Sequence, residues 1–344
     1  MAYTTINKSS DYFNTKLYTG NGSAGNAQTG VGFQPDWVWI KNRDVAYWNQ
    51  AFDAVRGTSS GALYTNQTSA EDYGGGNLLA SFDSDGFTVN SNDGCNGNGE
   101  DLVAWNWLAA NGTASNTDGS ITSTVSVNTT SGFSIVSFVG NATSGATVGH
   151  GLNAVPKVVI IKGRDSALEW RSYFSPIGAG KYMVLNENYA EATGSNFMND
   201  TAPTSSVFSL GNGTTPNKNG ENYIAYCFAE KTGYSKFGSY VGNGNADGPF
   251  IYTGFKPAWV MAKKSNSTGN WVIVDTKRDG YNGANDTLQA NVPDVESGGN
   301  RFDIVSNGFK ARSTSSYSNT SGDTFIYMAF AEEPLVGDNP ATAR

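Results

Sequence analysis

The sequence predicts an all-β protein made of three tandem related β-sandwich units, jelly-roll or lectin-like, each about 100 residues long. Three observations predict it. One word, a Pro followed six residues later by Lys with an apolar run between, occurs three times: Pro35–Lys41, Pro156–Lys162 and Pro257–Lys263. Turn formers are dense, with 42 Gly in 344 residues among many Asn, Ser and Thr. No segment sustains a capped 3.6-residue apolar period, so long helices are not expected.

Shared words set the boundaries. The units span 1–110, 130–231 and 232–334, with a Gly/Ser/Thr-rich linker over 111–129 and a tail over 335–344. Each unit opens on a strand that ends in a Gly-Asn turn: Tyr18-Thr19-Gly20-Asn21, Phe138-Val139-Gly140-Asn141 and Tyr240-Val241-Gly242-Asn243. The Pro word follows. Pro suits the first residue of a strand, where no ladder N–H is lost. In the first copy Trp37, Trp39 and Lys41 point one way and Val38 and Ile40 the other. Apolar residues on both sides imply a strand covered on both faces. Trp48 recurs as Trp170 and Trp271, which reads as core or core rim. A Leu-x-x-Asn word follows (Leu63/Asn66, Leu185/Asn188, Leu288/Asn291), then Glu71, Glu191 and Glu296. Each unit closes on an apolar strand, 102–107, 223–228 and 325–330.

Composition narrows the function. Net charge is −8 and no Lys/Arg run exists, which argues against nucleic acid as a partner. No apolar run is long enough for a membrane helix, so membrane insertion is not expected. The start of the chain lacks a basic-then-apolar leader. Two cysteines cannot frame a disulfide fold; Cys95 reads as a loop thiol and Cys227 as core. His150 is the single histidine and reads as a turn residue, so neither a catalytic triad nor a zinc site can be assembled. No phosphate loop is present, and no metal or cofactor is expected.

Carboxylates are plentiful, but no pair stands out for hydrolysis. Asp53/Arg56 and Asp275/Arg278 recur at one spacing and read as structural ion pairs. The expectation is therefore a protein that is not an enzyme. Aromatics that differ between copies are the contact candidates: Tyr47, Tyr64, Tyr73, Tyr281 and Tyr317, all near turns. A rigid ring beside Asn, Asp and Gly offers contact area and hydrogen bonds together, as sugar or protein recognition requires.

Longer words carry a family likeness. They are 32–43, 52–57, 233–244, Gly269-Asn270-Trp271 with Asp275-Thr276-Lys277-Arg278, and 327–332. On these the chain resembles a family of tailed-phage virion structural proteins of the marine phage or cyanophage type, tail-fibre-like and repetitive. The resemblance implies lectin-like or SPRY-like β-sandwich units on a virion surface, tail or capsid, assembled in the host cytoplasm. It implies other virion proteins and a host glycan or receptor as partners, homotrimer assembly, and no transferable catalytic residue. The chain lacks the heptad shaft of an ordinary fibre, so a capsid decoration protein and a polysaccharide depolymerase stand as alternatives.

Overall fold

The computed structural model describes residues 4–71, 78–278, 282, 286–334, 336 and 340. It is all-β. Its helical segments run only three or four residues each. The strands form three large antiparallel sheets, each backed by a small one. In the first large sheet Phe13–Thr19, Asp101–Trp107, Trp37–Asn42, Gln50–Asp53 and Leu63–Tyr64 lie side by side in that order. The third repeats this order with Ser235–Val241, Thr324–Pro334, Phe255–Lys264, Val272–Asp275 and Leu288–Gln289. The second has it too, with Phe133–Val139, Asn222–Ala229, Pro156–Gly163, Arg171–Phe174 and Lys181–Val184.

The second sheet corrects the expected linker over 111–129. Ala114–Asn116 and Ser123–Asn128 are strands, and they extend this sheet beyond Phe133–Val139. Ser123–Asn128 pairs with its neighbour across a tight turn, Thr124 opposite Ser137. Val125 and Ile121 bury their side chains in the sandwich behind. The Ser/Thr-rich composition hid two β-branched residues at buried positions. Ahead of this, the Glu71 N–H donates to Arg164 O at 2.7 Å.

Both faces of each large sheet are buried, and they serve different cores. Val38 and Ile40 face the small sheet of their own unit, with Phe87 and Val89. Trp37 and Trp39 face the other way, into a core shared by all three sheets. Val158 and Ile160, then Trp259 and Met261, do the same from the second and third sheets. At its centre Trp107, Phe228 and Phe330, at equivalent strand positions, form a triangle of rings 5.6 to 6.5 Å apart. An isolated unit would leave this aromatic face in water, a larger apolar patch than soluble monomers carry. The sheets thus form a closed ring with pseudo-threefold symmetry, tighter than a row of separate units.

The repeated words now have physical roles. At each Gly-Asn turn a Cβ on the Gly would collide with a facing carbonyl: 2.2 Å at Gly20, 2.3 Å at Gly140 and 2.2 Å at Gly242. The next N–H is then taken by a buried amide, Asn96, Asn217 or Asn319, at 2.8 to 2.9 Å. The Lys of the Pro word reaches across to the neighbouring sheet. Lys41 Nζ donates to Val292 O (3.1 Å), Lys162 to Thr68 O (3.0 Å) and Lys263 to Tyr189 O (2.9 Å). Each has a second acceptor in its own unit: Asn49 Oδ1, Leu168 O and Lys264 O. All three are buried. Burial pulls their pKa values down, to about 7, about 8 and about 7. Two N–H donors and two acceptors suit a neutral amine.

The seams are cyclic. Trp170 Nε1 donates from the second unit to Tyr64 O of the first (2.9 Å), and Trp271 Nε1 from the third to Val184 O of the second (3.1 Å). The first unit closes the ring on the third through Asn49 Nδ2, which donates to Gln289 O (3.1 Å) and Ala290 O (2.9 Å). The residue equivalent to Trp170 and Trp271 is therefore Asn49, and the reading of Trp48 as a core tryptophan is corrected. The backbone agrees: N–H groups of Asn49, Trp170 and Trp271 donate to Asn66, Asn186 and Asn291. In the second copy the capping residue is thus Asn186, two residues before the Asn188 of the sequence word.

Candidate functional site: an aromatic cleft on the first unit

The displaced Trp48 lies on the surface, 49% exposed. It stands edge-on to Tyr64, ring centroids 5.1 Å apart at 68°. With Ala46, Tyr47, Gln50, Asn92, Asp93 and Gly94 these rings line a cleft of about 320 Å³. That volume lies in the lower range for small-molecule sites.

Local chemistry shapes each wall. Asn42 Oδ1 accepts from Asp44 N (3.0 Å) and Val45 N (2.9 Å), an Asx turn that starts the loop carrying Tyr47 and Trp48. Tyr64 sits on the last strand of the first sheet, and its carbonyl is the acceptor for Trp170, so the seam holds this wall in place. The opposite wall is the helical turn Asp93–Asn96, capped by Asn92, whose Oδ1 accepts from Gly94 N at 3.0 Å. The same oxygen accepts from Gln50 Nε2 at 2.8 Å, fixing that amide. Gln50 Oε1 is buried and has no hydrogen-bond partner. The cleft is therefore lined by a half-exposed indole, two phenols, an amide whose oxygen has no partner and one carboxylate, Asp93.

The structure brings two of the five tyrosine candidates together here, Tyr47 and Tyr64. Tyr317 lies in the third unit, under the Arg301 guanidinium at 5.4 Å. Tyr73 and Tyr281 lie outside the described residues. Sequence reasoning missed Trp48, Gln50 and Asn92. The spacing held a signal for Trp48: counted back from the recurrent Asp, Trp271 lies four residues before Asp275, whereas Trp48 lies five before Asp53.

Other residues weighed for chemistry have structural roles. His150 is buried; its Nδ1 accepts from Leu152 N and Nε2 faces Thr204 O, each at 3.2 Å. Cys95 is not a loop thiol. It is buried inside the turn Asp93–Asn96, and burial pushes its pKa up to about 12. Both Asp85 oxygens accept N–H groups, from Gly30 and Gly32. Among the described residues no three His, Cys, Asp or Glu side chains are placed to hold a metal. Among these residues no helix is long and apolar enough to cross a membrane.

A family described as a domain of unknown function, DUF7483, matches residues 8–334. No curated protein and no solved structure matches the chain.

Proposed function

The chain belongs to the DUF7483 family, and for it we propose a non-enzymatic sugar-binding role on the surface of a tailed-phage virion. The Trp48 cleft would hold one or two residues of a host glycan. The observation that carries this reading is the pairing of a half-exposed indole with a buried, unpartnered acceptor, Gln50 Oε1, in one cleft. An indole face packs on the C–H face of a sugar ring. The amides and Asp93 then accept its hydroxyls. One carboxylate lines the cleft, whereas glycoside hydrolysis of the usual kind uses two. The reading is therefore capture rather than depolymerisation. The compact, shaftless ring favours a second reading for placement on the particle, capsid decoration, over a fibre shaft.

The test is a glycan array probed with the full chain, followed by titration of the best hit. Trp48→Ala is expected to weaken that hit at least tenfold, about 1.4 kcal/mol, with an unchanged melting temperature. An array without hits, or a hit indifferent to Trp48→Ala, would overturn the proposal. Antibody labelling of intact virions separates the two placements: label at the tail supports host recognition, and label over the head supports decoration.

A further inference from the structure

The seam between the first and third sheets holds a second cleft of about 250 Å³, and we infer that it binds a compact polyol about the size of one sugar ring. The pseudo-threefold repeat supplies the argument, because the same place can be inspected at the other two seams. Thr15 lies opposite Trp105 on the edge strand of the first sheet. The equivalent residues are Ile135, opposite Tyr226, and Phe237, opposite Met328. Both are packed in the shared core. Thr15 is smaller than either, and the space it leaves is the cleft. Facing it, Thr276 follows Asp275 as Ala54 follows Asp53 and Ser175 follows Phe174.

The cleft is built for hydrogen bonds. Thr15 Oγ1, Thr276 Oγ1 and Glu333 Oε2 are all buried without a partner, and all three residues line it. An unpaired buried polar group costs about 1–3 kcal/mol, so three in one cleft call for an occupant with several donors. Two hydroxyls accept or donate, and the carboxylate accepts. Burial, then Glu332, raises the Glu333 pKa. Glu332 itself is paired with Lys256 at 3.0 Å, and Lys277 stands at the exposed rim, so the surroundings are close to neutral. Phe13, Ala258 and Ala331 give an apolar floor. Hydroxyls on a small ring match that set. The volume falls below the roughly 300 Å³ at which drug-sized sites begin, which limits the ligand to one ring.

The inference is independent of the Trp48 cleft and is tested in a protein that lacks it. Saturation-transfer NMR on the Trp48→Ala chain, with a panel of neutral monosaccharides and glycerol, is expected to show binding by at least one panel member. Adding Thr15→Ile, the side chain used at another seam, is expected to weaken that binding at least tenfold with an equal or higher melting temperature. Thr15→Val with Thr276→Val removes the orphan hydroxyls at little change in size; the same loss is expected, and this variant decides the matter if the isoleucine does not fit. No binding by any panel member would show a water-filled seam, and binding that survives the Thr15→Val/Thr276→Val change would show that these hydroxyls do not make it; either result overturns the proposal.

Discussion

Where the first and second sheets meet, Tyr226 Oη donates to Asp53 Oδ2 at 2.8 Å, and Arg56 Nε donates to the same oxygen at 2.5 Å. Arg56 also pairs with Glu71, whose other oxygen accepts from Arg164 of the second unit at 2.8 Å. Where the second and third sheets meet, the positions of Asp53, Arg56 and Tyr226 are held by Phe174, Ile177 and Met328. Phe174 and Met328 are buried in the central core, and Ile177 packs against it. Their rim keeps a more exposed pair, Lys181 to Glu191 at 2.5 Å. The third seam returns to charge, with Asp275, Arg278 and Glu296 joined by Trp105 and Arg43. One joint is thus made in two ways, and the apolar way contains no charge to desolvate. Buried ion pairs add little net stability. Two charged joints and one apolar joint distinguish the three seams of the ring.

The largest expected effect breaks a charged seam. Arg56→Met leaves Asp53 and Glu71 short of their buried cation. It should cost about 3–5 kcal/mol, read as a lower urea midpoint. A loss below about 1 kcal/mol would show that the charge is not what closes this joint. Next comes pH, which probes what all three seams share. The buried lysines release their protons near pH 7–8 in the folded chain and near 10.5 when unfolded. Between these values the unfolded chain binds more protons, so stability should rise with pH, by up to about 1.4 kcal/mol per pH step for each lysine. Lys162→Met and Lys263→Met should flatten this slope equally, although one lies at the charged seam and the other at the apolar seam. Unequal flattening would break the equivalence of the joints. The smallest effect sharpens the comparison: Asp53→Phe, Arg56→Ile and Tyr226→Met together give the first seam the chemistry of the second. The triple variant should lie within about 2 kcal/mol of the parent, far above Arg56→Met alone.

Much of this architecture was legible along the chain. The alternation at Trp37–Lys41 shows both buried faces, and the Asp-x-x-Arg words are the ion pairs of two seams. The shared core was not legible, because nothing local distinguishes an inner face covered by a neighbouring sheet from one covered within the unit. Two of the cleft's rings, Tyr47 and Tyr64, could be picked out as aromatics peculiar to the first copy. Trp48 could not, because a one-residue slip aligned it with Trp170 and Trp271 while Asn49 took their place. Gln50 and Asn92 meet only through folding, being 42 positions apart along the chain.

Ring closure also orders events in time. The aromatic face formed by Trp39, Trp105 and Trp107 is complete once residue 107 has been made, yet part of its cover, Trp259 and Phe330, comes from the far end of the chain. At about 5–20 residues per second on the ribosome, that face waits on the order of 10–45 s for its last neighbour. During synthesis the nascent chain therefore presents a patch of tryptophan whose cover is completed only by the last third of the sequence.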